Sequence, residues 1–352
     1  MFSLGQLHID NPAMAEHFVW HHAAWPFPEI APDLHLHLGC GERVFDGFVN
    51  LDFASSQTGV VPWNMLDIWP ESLRGQVAAV FSEDVLEHFY YPEQLYLLAS
   101  LNVTLQERGV FRVLMPNLDL LQACCLDEVR PDYPRTWLDE HFGSCTGADA
   151  LNVGMRMGGH RWLHNQFSLA DLAAQAGFGI VPTSCAESTL PRLSGLNLRT
   201  EINITFANDL VKERKIERLV VPPDVVQYAT LVEEINPDQI LYCAASNDPQ
   251  IHYKLPRSLD AGRIVLINCR SANLSQFNEH NFAKLYLAPS EASALYTDST
   301  LRSACYMNVH SRRQIESRLP PEGRTLNQLR FDPGERKGDY FTAGPLEVFF
   351  EP

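Results

Sequence analysis

The stretch Leu34-His35-Leu36-His37-Leu38-Gly39-Cys40-Gly41-Glu42, with an acid eleven residues beyond Gly41 in Val49-Asn50-Leu51-Asp52, constrains this chain more than any other. Leucines at 34, 36 and 38 alternate with other residues, the pattern of a buried strand. Two glycines then let the backbone take positive φ and approach a ligand with no Cβ in the way. The run predicts a strand, a glycine turn and a second strand that ends in a carboxylate. A turn of this kind at the carboxyl end of a strand cradles a nucleotide-like ligand, and Asp52 can accept hydrogen bonds from both hydroxyls of a ribose.

The spacing departs from the commonest dinucleotide fingerprint. That pattern is G-x-G-x-x-G with its acid about 20 residues further on. Here position 44 is Val and the acid arrives early. A ligand without phosphates fits better, and S-adenosylmethionine is one. Downstream, Val77-Ala78-Ala79-Val80-Phe81-Ser82 predicts a buried strand. Pro92 to Gln106 predicts a helix, with Pro in its first turn and Leu95, Leu98, Leu101 and Leu105 at helical spacing. Val110 to Met115 predicts the next strand, ended by Pro116. Ser168 reads as the N-cap of a further helix, with Asp171 three residues on and Gly177 closing it. Strand and helix patterns alternate from Leu34 to Leu190, which predicts a parallel α/β sheet. The first thirty residues, rich in His, Trp and Pro, read as a cap over that sheet.

Four stretches in this order and spacing carry a family likeness. They are Leu38-Gly39-Cys40-Gly41 with Gly47-Phe48-Val49-Asn50-Leu51-Asp52; Phe81-Ser82-Glu83-Asp84-Val85-Leu86-Glu87-His88; Gly109-Val110-Phe111-Arg112-Val113-Leu114-Met115-Pro116-Asn117; and Gly159-His160-Arg161-Trp162 through Ala176-Gly177-Phe178. Over residues 30–195 the chain resembles the class I S-adenosylmethionine-dependent methyltransferases, above all those of bacterial surface-polysaccharide synthesis. The resemblance implies a Rossmann-like domain, mainly a parallel sheet with helices on both faces, and S-adenosyl-L-methionine as cofactor. It implies that Gly39, Cys40 and Gly41 pack against the methionine part, that Asp52 binds the ribose and that Asp67 lies near the adenine amino group. It places Ser82 and Glu83 in the same cofactor site. One departure stands out: where many relatives carry Lys-Pro-Gly-Gly, this chain has Gln106-Glu107-Arg108-Gly109 and keeps one glycine.

Beyond residue 206 the pattern changes. Asn208 to Arg218 is short and charged and reads as a helical linker, within a linker region spanning 207–235. Short alternating strands broken by turns follow from 236 to 352, clearest at Ile264–Ile267, Lys284–Leu287, Ala304–Val309 and Leu346–Phe350. They predict an antiparallel β-sandwich after the first domain of residues 1–206. Asn247-Asp248-Pro249-Gln250-Ile251 and Leu329-Arg330-Phe331-Asp332-Pro333-Gly334 resemble the jelly-roll-like accessory domains of surface-polysaccharide glycosyltransferases. That resemblance implies either a glycan-binding or assembly module or a purely structural appendage.

Composition narrows the partners. A formal charge of −16 argues against a nucleic-acid partner, since phosphate binding draws on clustered Lys and Arg. No membrane span or secretory signal is visible, so the expected location is cytoplasmic. Eight cysteines without a Cys-x-x-Cys read as reduced thiols, with no zinc-ligand spacing.

A sulfonium already activates its methyl, so methyl transfer mainly requires a nucleophile held in line. A sugar hydroxyl is a poor nucleophile and gains from a general base. His88, His160 and His164 are the candidates, a histidine titrating near neutrality. Each also has a plainer role, His88 as a helix-end residue and His160 as a loop anchor. Glu83, Asp84 and Glu87 can suit a divalent cation orienting a sugar diol, yet solvated loop charges explain them more simply, and no metal site is assigned. Tyr133, Trp137 and Trp162 can stack on a sugar face or fill a core. The expected acceptor is a sugar, nucleotide-sugar or glycan, with other polysaccharide-assembly enzymes as partners. A small metabolite or protein acceptor, or a non-catalytic glycan-binding scaffold, is the alternative.

Overall fold

The computed structural model describes residues 33–125, 147–156, 159–182, 205–236, 239–273, 282–289, 301–306, 314–316 and 325–352. They divide into two compact units, one ending at Lys215 and the other spanning Ile216–Pro352. The expected N-terminal cap, Tyr133 and Trp137 lie outside the described residues.

The first unit is built on a seven-stranded sheet. Its strands are β1 (Leu34–Leu38), β2 (Val49–Asp52), β3 (Val60–Pro62), β4 (Val77–Glu83), β5 (Leu105–Pro116), β6 (Phe178–Pro182) and β7 (Thr205–Lys212), in the order β3-β2-β1-β4-β5-β7-β6. Strands β3 through β5 are mutually parallel, and β7 enters antiparallel to both β5 and β6. The first five positions follow the doubly wound order, and the chain reverses on either side of β1. That reversal opens a crevice at the carboxyl ends of β1 and β4, where Leu38 lies opposite Ser82. Leu36, Leu38, Val80 and Phe81 are fully buried in the middle of the sheet.

Four helices accompany the sheet among the described residues: α1 (Tyr91–Thr104), α2 (Leu118–Cys125), α3 (Gly147–Arg156) and α4 (Gln166–Gln175). Pro92 sits in the first turn of α1, and the Glu93 carboxylate accepts from the Tyr90 N–H at 2.9 Å, ending the chain's approach. Every residue of α1 from Glu93 to Thr104 is buried, so polar members need internal partners. Asn102 donates to the carbonyls of Ala176 and Arg214, and Lys212 Nζ donates to those of Asn102 and Leu105. Burial pulls the Lys212 ammonium down to about 8.

Two local expectations are corrected. Asn165, not Ser168, caps α4: its side chain accepts from the Ser168 N–H at 2.9 Å while Ser168 Oγ accepts from the Asn165 N–H at 3.1 Å. Ser168 completes a reciprocal cap three residues inside the helix. The segment expected as a helical linker is strand, covering most of β7 and continuing through β8 (Glu217–Val221), β9 (Val225–Gln227) and β10 (Ala229–Asn236). Its charges mislead because Asp209 is not solvated: both its oxygens accept from Arg112 of β5 at 2.7 Å, with both side chains buried.

The second unit consists of antiparallel sheets. Its remaining strands are β11 (Gln239–Ala244), β12 (Gln250–Asp260), β13 (Ile264–Cys269), β14 (Ala272–Asn273), β15 (Phe282–Pro289), β16 (Leu301–Tyr306), β17 (Gln314–Glu316), β18 (Thr325–Asp332), β19 (Tyr340–Ala343) and β20 (Leu346–Phe350). They form the sheets β10-β11-β19-β14, β16-β15-β18-β12-β9 and β17-β13-β20-β8. Ile251, Leu285, Phe331, Phe341 and Val348, drawn from all three, share one core. Glu347 is fully buried there, where burial pushes its carboxyl up but the Arg270 and Arg218 guanidiniums and Asn268 hold it below the usual range. The two stretches singled out in the sequence meet: Arg330 donates to Asp248 and Asp332 and lies over the Tyr286 ring. Among the described residues no helix is long and apolar enough to cross a membrane, and Cys40, Cys243 and Cys269 are free thiols.

Removing one partner of the Arg112–Asp209 pair strands a buried charge, so Asp209→Ala is expected to destabilise the first unit by about 3–5 kcal/mol. A fall in the urea midpoint measures it, and Arg112→Leu/Asp209→Leu should recover most of the loss. Arg108 stands at φ 61, the left-handed region that favours glycine. Arg108→Gly is therefore expected to stabilise by about 0.5 kcal/mol, the relieved left-handed strain of about 1–2 kcal/mol less glycine's entropic cost. Differential scanning calorimetry should show a small rise in melting temperature.

Candidate functional site

The glycine turn opens the crevice. Gly39 has φ 60, and a Cβ there would sit 2.3 Å from Val85 Cγ2, so the turn packs directly on the segment that follows β4. Gly41 has φ 55 and open space where its Cβ would be. The two glycines thus divide the work, Gly39 closing the wall and Gly41 leaving room for a ligand. Cys40 is buried between them, its N–H bonded to the Leu51 carbonyl, and burial with the nearby Asp52 charge pushes its thiol up to about 11. It lines the turn as a small apolar group.

Asp52 anchors the other side. Its Oδ2 accepts from the Gly41 N–H at 2.9 Å, and its Oδ1 accepts from the N–H groups of Ala54 and Ser55 at 2.8 and 2.9 Å. A carboxylate offers about four acceptor positions, so three backbone donors leave Asp52 one for a ligand hydroxyl rather than the expected two. Phe53, next along, is 62% exposed at the mouth and presents an apolar ring. Asp67 lies on the loop beyond β3, where its carbonyl accepts from Tyr96 Oη and the Trp63–Trp69 edge contact stiffens the loop. Ser82 Oγ, at the end of β4 and 1% exposed, has no hydrogen-bond partner. Glu83 accepts from Arg43, which spans from the glycine loop.

Residues 39–48 run from β1 into β2 without a helix. The glycine turn therefore lacks the helix N-terminus whose dipole and free N–H groups hold pyrophosphate. Asp52, Asp67, Glu83 and Asp84 instead bring carboxylates to this end of the sheet, with Arg43 against Glu83. This is an environment for a neutral or cationic ligand. An orphaned Ser82 hydroxyl, a turn open at Gly41 and an acceptor position on Asp52 suit the ribose and sulfonium of S-adenosylmethionine.

The three candidate histidines have different surroundings. His164 is fully buried; its Nε2 lies 2.6 Å from Gln94 Oε1 and its Nδ1 3.0 Å from Ser168 Oγ. Gln94 Nε2 donates to the Leu86, Phe89 and Trp162 carbonyls, so its Oε1 accepts and His164 Nε2 donates. Both ring nitrogens of His164 are engaged and burial pulls its pKa down to about 4, so the fold holds it inside the network and does not bring it together with His88 and His160. His88 and His160 are brought together, their ring centroids 5.0 Å apart. Burial, then the neighbouring His160, lowers the His88 pKa, leaving it neutral at physiological pH. His160 Nδ1 is 2.6 Å from the Gly154 carbonyl, which makes Nδ1 the protonated nitrogen and leaves the Nε2 lone pair free.

Two residues named in the sequence analysis, Glu87 and Trp162, and one it did not name, Gln94, complete the site. Glu87, counted there among the loop charges, has no exposed surface, and burial followed by the Asp84 charge raises its carboxyl pKa to about 8. Its backbone carbonyl accepts from Arg161 and Trp162 N–H, which draws the 159–162 loop onto the turn Leu86–His88. Trp162 is 47% exposed beside Tyr91. Apolar flanks at Leu86 and Leu95 signal that Glu87 and Gln94 are buried, but only the fold shows against what.

No family model matches the sequence, and no curated protein is significantly similar to it. Solved structures partly similar to it include an S-adenosylmethionine-dependent methyltransferase from Mesorhizobium loti, with a TM-score of 0.34 and 13% identity over 57% of this chain and 96% of that one. Another is a methyltransferase from Archaeoglobus fulgidus, with a TM-score of 0.32 and 14% identity over 52% of this chain and 87% of that one. A third is the CurJ carbon methyltransferase, with a TM-score of 0.30 and 13% identity over 53% of this chain and 50% of that one. This chain spans about half the length of CurJ and of the citrinin polyketide synthase CMeT domain.

His37 and His164 give the stability a distinct acid limb. Burial lowers both from 6.5 to about 4, His37 despite its bond to Asn50. Between those values the unfolded chain binds protons that the native state refuses, so the contribution of these two histidines is full above pH 6.5 and falls as pH drops toward 4, outweighing the opposite change of the single Glu87 carboxyl. Each histidine contributes up to about 3 kcal/mol to that loss. Urea unfolding at pH 7, 5.5 and 4.5 is expected to show decline beginning near 6.5, above the carboxylate range; a flat profile to 4.5 contradicts it.

Proposed function

We propose that the first unit binds S-adenosylmethionine in the Gly39–Asp52 crevice and transfers its methyl group to a hydroxyl of a sugar or glycan. The observation that carries this reading is the crevice itself: a glycine turn without a helix behind it, ringed by carboxylates, with the buried Ser82 hydroxyl still unpaired. When bound, the cofactor supplies a methyl activated by its sulfonium. Asp52 takes a ribose hydroxyl, Gly41 allows close approach, and Asp67 and Phe53 border the base. His160, its Nδ1 held by the Gly154 carbonyl, offers Nε2 to the proton of the acceptor hydroxyl, with the His88 ring edge-on beside it. Trp162 offers its exposed face to a sugar ring.

The sugar is favoured as acceptor by that exposed indole beside the histidines and by the surface-polysaccharide resemblance of both halves. In this reading the antiparallel unit is a glycan-binding or assembly module, and the protein works in the cytoplasm beside other polysaccharide-assembly enzymes. Isothermal titration with S-adenosylmethionine, S-adenosylhomocysteine and NAD tests the cofactor. Both sulfur ligands are expected to bind and NAD is not, and Asp52→Ala should weaken the sulfur ligands at least about tenfold, the worth of a hydrogen bond to a charged group. Binding of NAD alone, or binding unchanged by Asp52→Ala, overturns the assignment.

A further inference from the structure

Beside the cofactor crevice lies a cluster that contains the proposed base His160 and can do more than accept a proton. The donor atoms of Glu87, His88 and His160 all lie within 4.8 Å of one another, and His160 Nε2 is 4.0 Å from Glu87 Oε1. Glu87 is wholly buried, and neither of its carboxylate oxygens has a hydrogen-bond partner. An isolated buried carboxylate is costly, and a native protein either protonates it or gives it a cation.

The imidazole of His160 is already arranged for one. Its Nδ1 is held by the Gly154 carbonyl, the outer-shell bond typical of metal-bound histidines, so its Nε2 lone pair is free on the side of Glu87. Two backbone bonds from Arg161 and Trp162 to the Glu87 carbonyl keep the loop that carries His160 against the turn that carries the other two residues. We propose that Glu87, His88 and His160 form a binding site for a divalent transition-metal ion. Two imidazoles and one carboxylate select zinc or ferrous-type ions over magnesium and calcium, which prefer oxygen alone. With bonds of about 2.0–2.1 Å, tetrahedral donors stand about 3.3 Å apart, so the three side chains close by about an ångström on binding. Three protein ligands leave a further position for water or an acceptor oxygen, and an ion there would occupy His160 Nε2 and take over from it the task of acidifying the acceptor hydroxyl.

The site stands on side-chain geometry alone and goes beyond the cofactor assignment, so the two are tested separately. The full chain, stripped with EDTA and dialysed, is titrated with zinc chloride and with magnesium chloride. One zinc per chain is expected, with no response to magnesium. Glu87→Gln, His88→Ala and His160→Ala should each weaken zinc at least about tenfold, while His252→Ala in the other unit leaves it unchanged. Circular dichroism confirms that each variant is folded, and near-isosteric Glu87→Gln guards against a folding defect in the others. S-adenosylhomocysteine titrated into the same samples reads the cofactor crevice independently. Absence of zinc binding, or zinc binding that survives all three substitutions, overturns the proposal.

Discussion

The carboxamide of Gln94 holds the functional end of the first unit together. Its Nε2 reaches three carbonyls, those of Leu86, Phe89 and Trp162, at 2.7 to 3.2 Å, and its Oε1 takes the proton of His164. One buried side chain on α1 thereby joins the turn after β4 to the loop that leads into α4. These segments are far apart in sequence and carry Glu87, His88, His160 and Trp162. Every polar atom of the Gln94 amide is used, so the network resists displacement: breaking one bond leaves a buried carbonyl or imidazole unpaired.

Electrostatics then separates scaffold from site. Scaffold charges are neutralised at close range, as in Arg112–Asp209 within the sheet and Glu347 among Arg218, Arg270 and Asn268 in the antiparallel unit. Such pairs contribute little net stability, but they are expensive to break and pin strands to one register. At the crevice the pattern reverses. Glu87 and the Ser82 hydroxyl are buried without partners, and the Asp52 carboxylate keeps an acceptor position although backbone N–H groups fill the rest. A buried polar group without a partner calls for an explanation, and at this crevice a ligand supplies one.

Much of the architecture was legible in local patterns. The strands at Leu34–Leu38, Val49–Asp52 and Leu346–Phe350 fall where apolar runs and punctuation put them, and α1 starts at its proline. The failures have one physical origin. Asn208-Asp209 and Lys212 look solvated in sequence, yet Asp209 meets Arg112 and Lys212 meets two carbonyls, so a strand was read as a charged linker. Ser168 looks like a cap because it has a cap's chemistry; Asn165 takes the role, with Ser168 in the reciprocal position. Likewise His164 has the same chemical capacity as His160, and only the fold shows that Gln94 and Ser168 engage both of its ring nitrogens.

The sequence alone determined the glycine turn, the acid that follows it, the strand and helix periodicities and the change to a strand-rich second half, because these depend on φ/ψ preference and on side-chain period over a few residues. Tertiary structure decided which polar groups are buried, which charges find partners and which histidines keep a free nitrogen. Burial and pairing arise between residues tens of positions apart, such as Gln94 with Trp162 and His164 or Arg112 with Asp209. No local pattern carries that information, since the same side chain is a solvated charge, a structural anchor or a ligand according to what the fold sets against it.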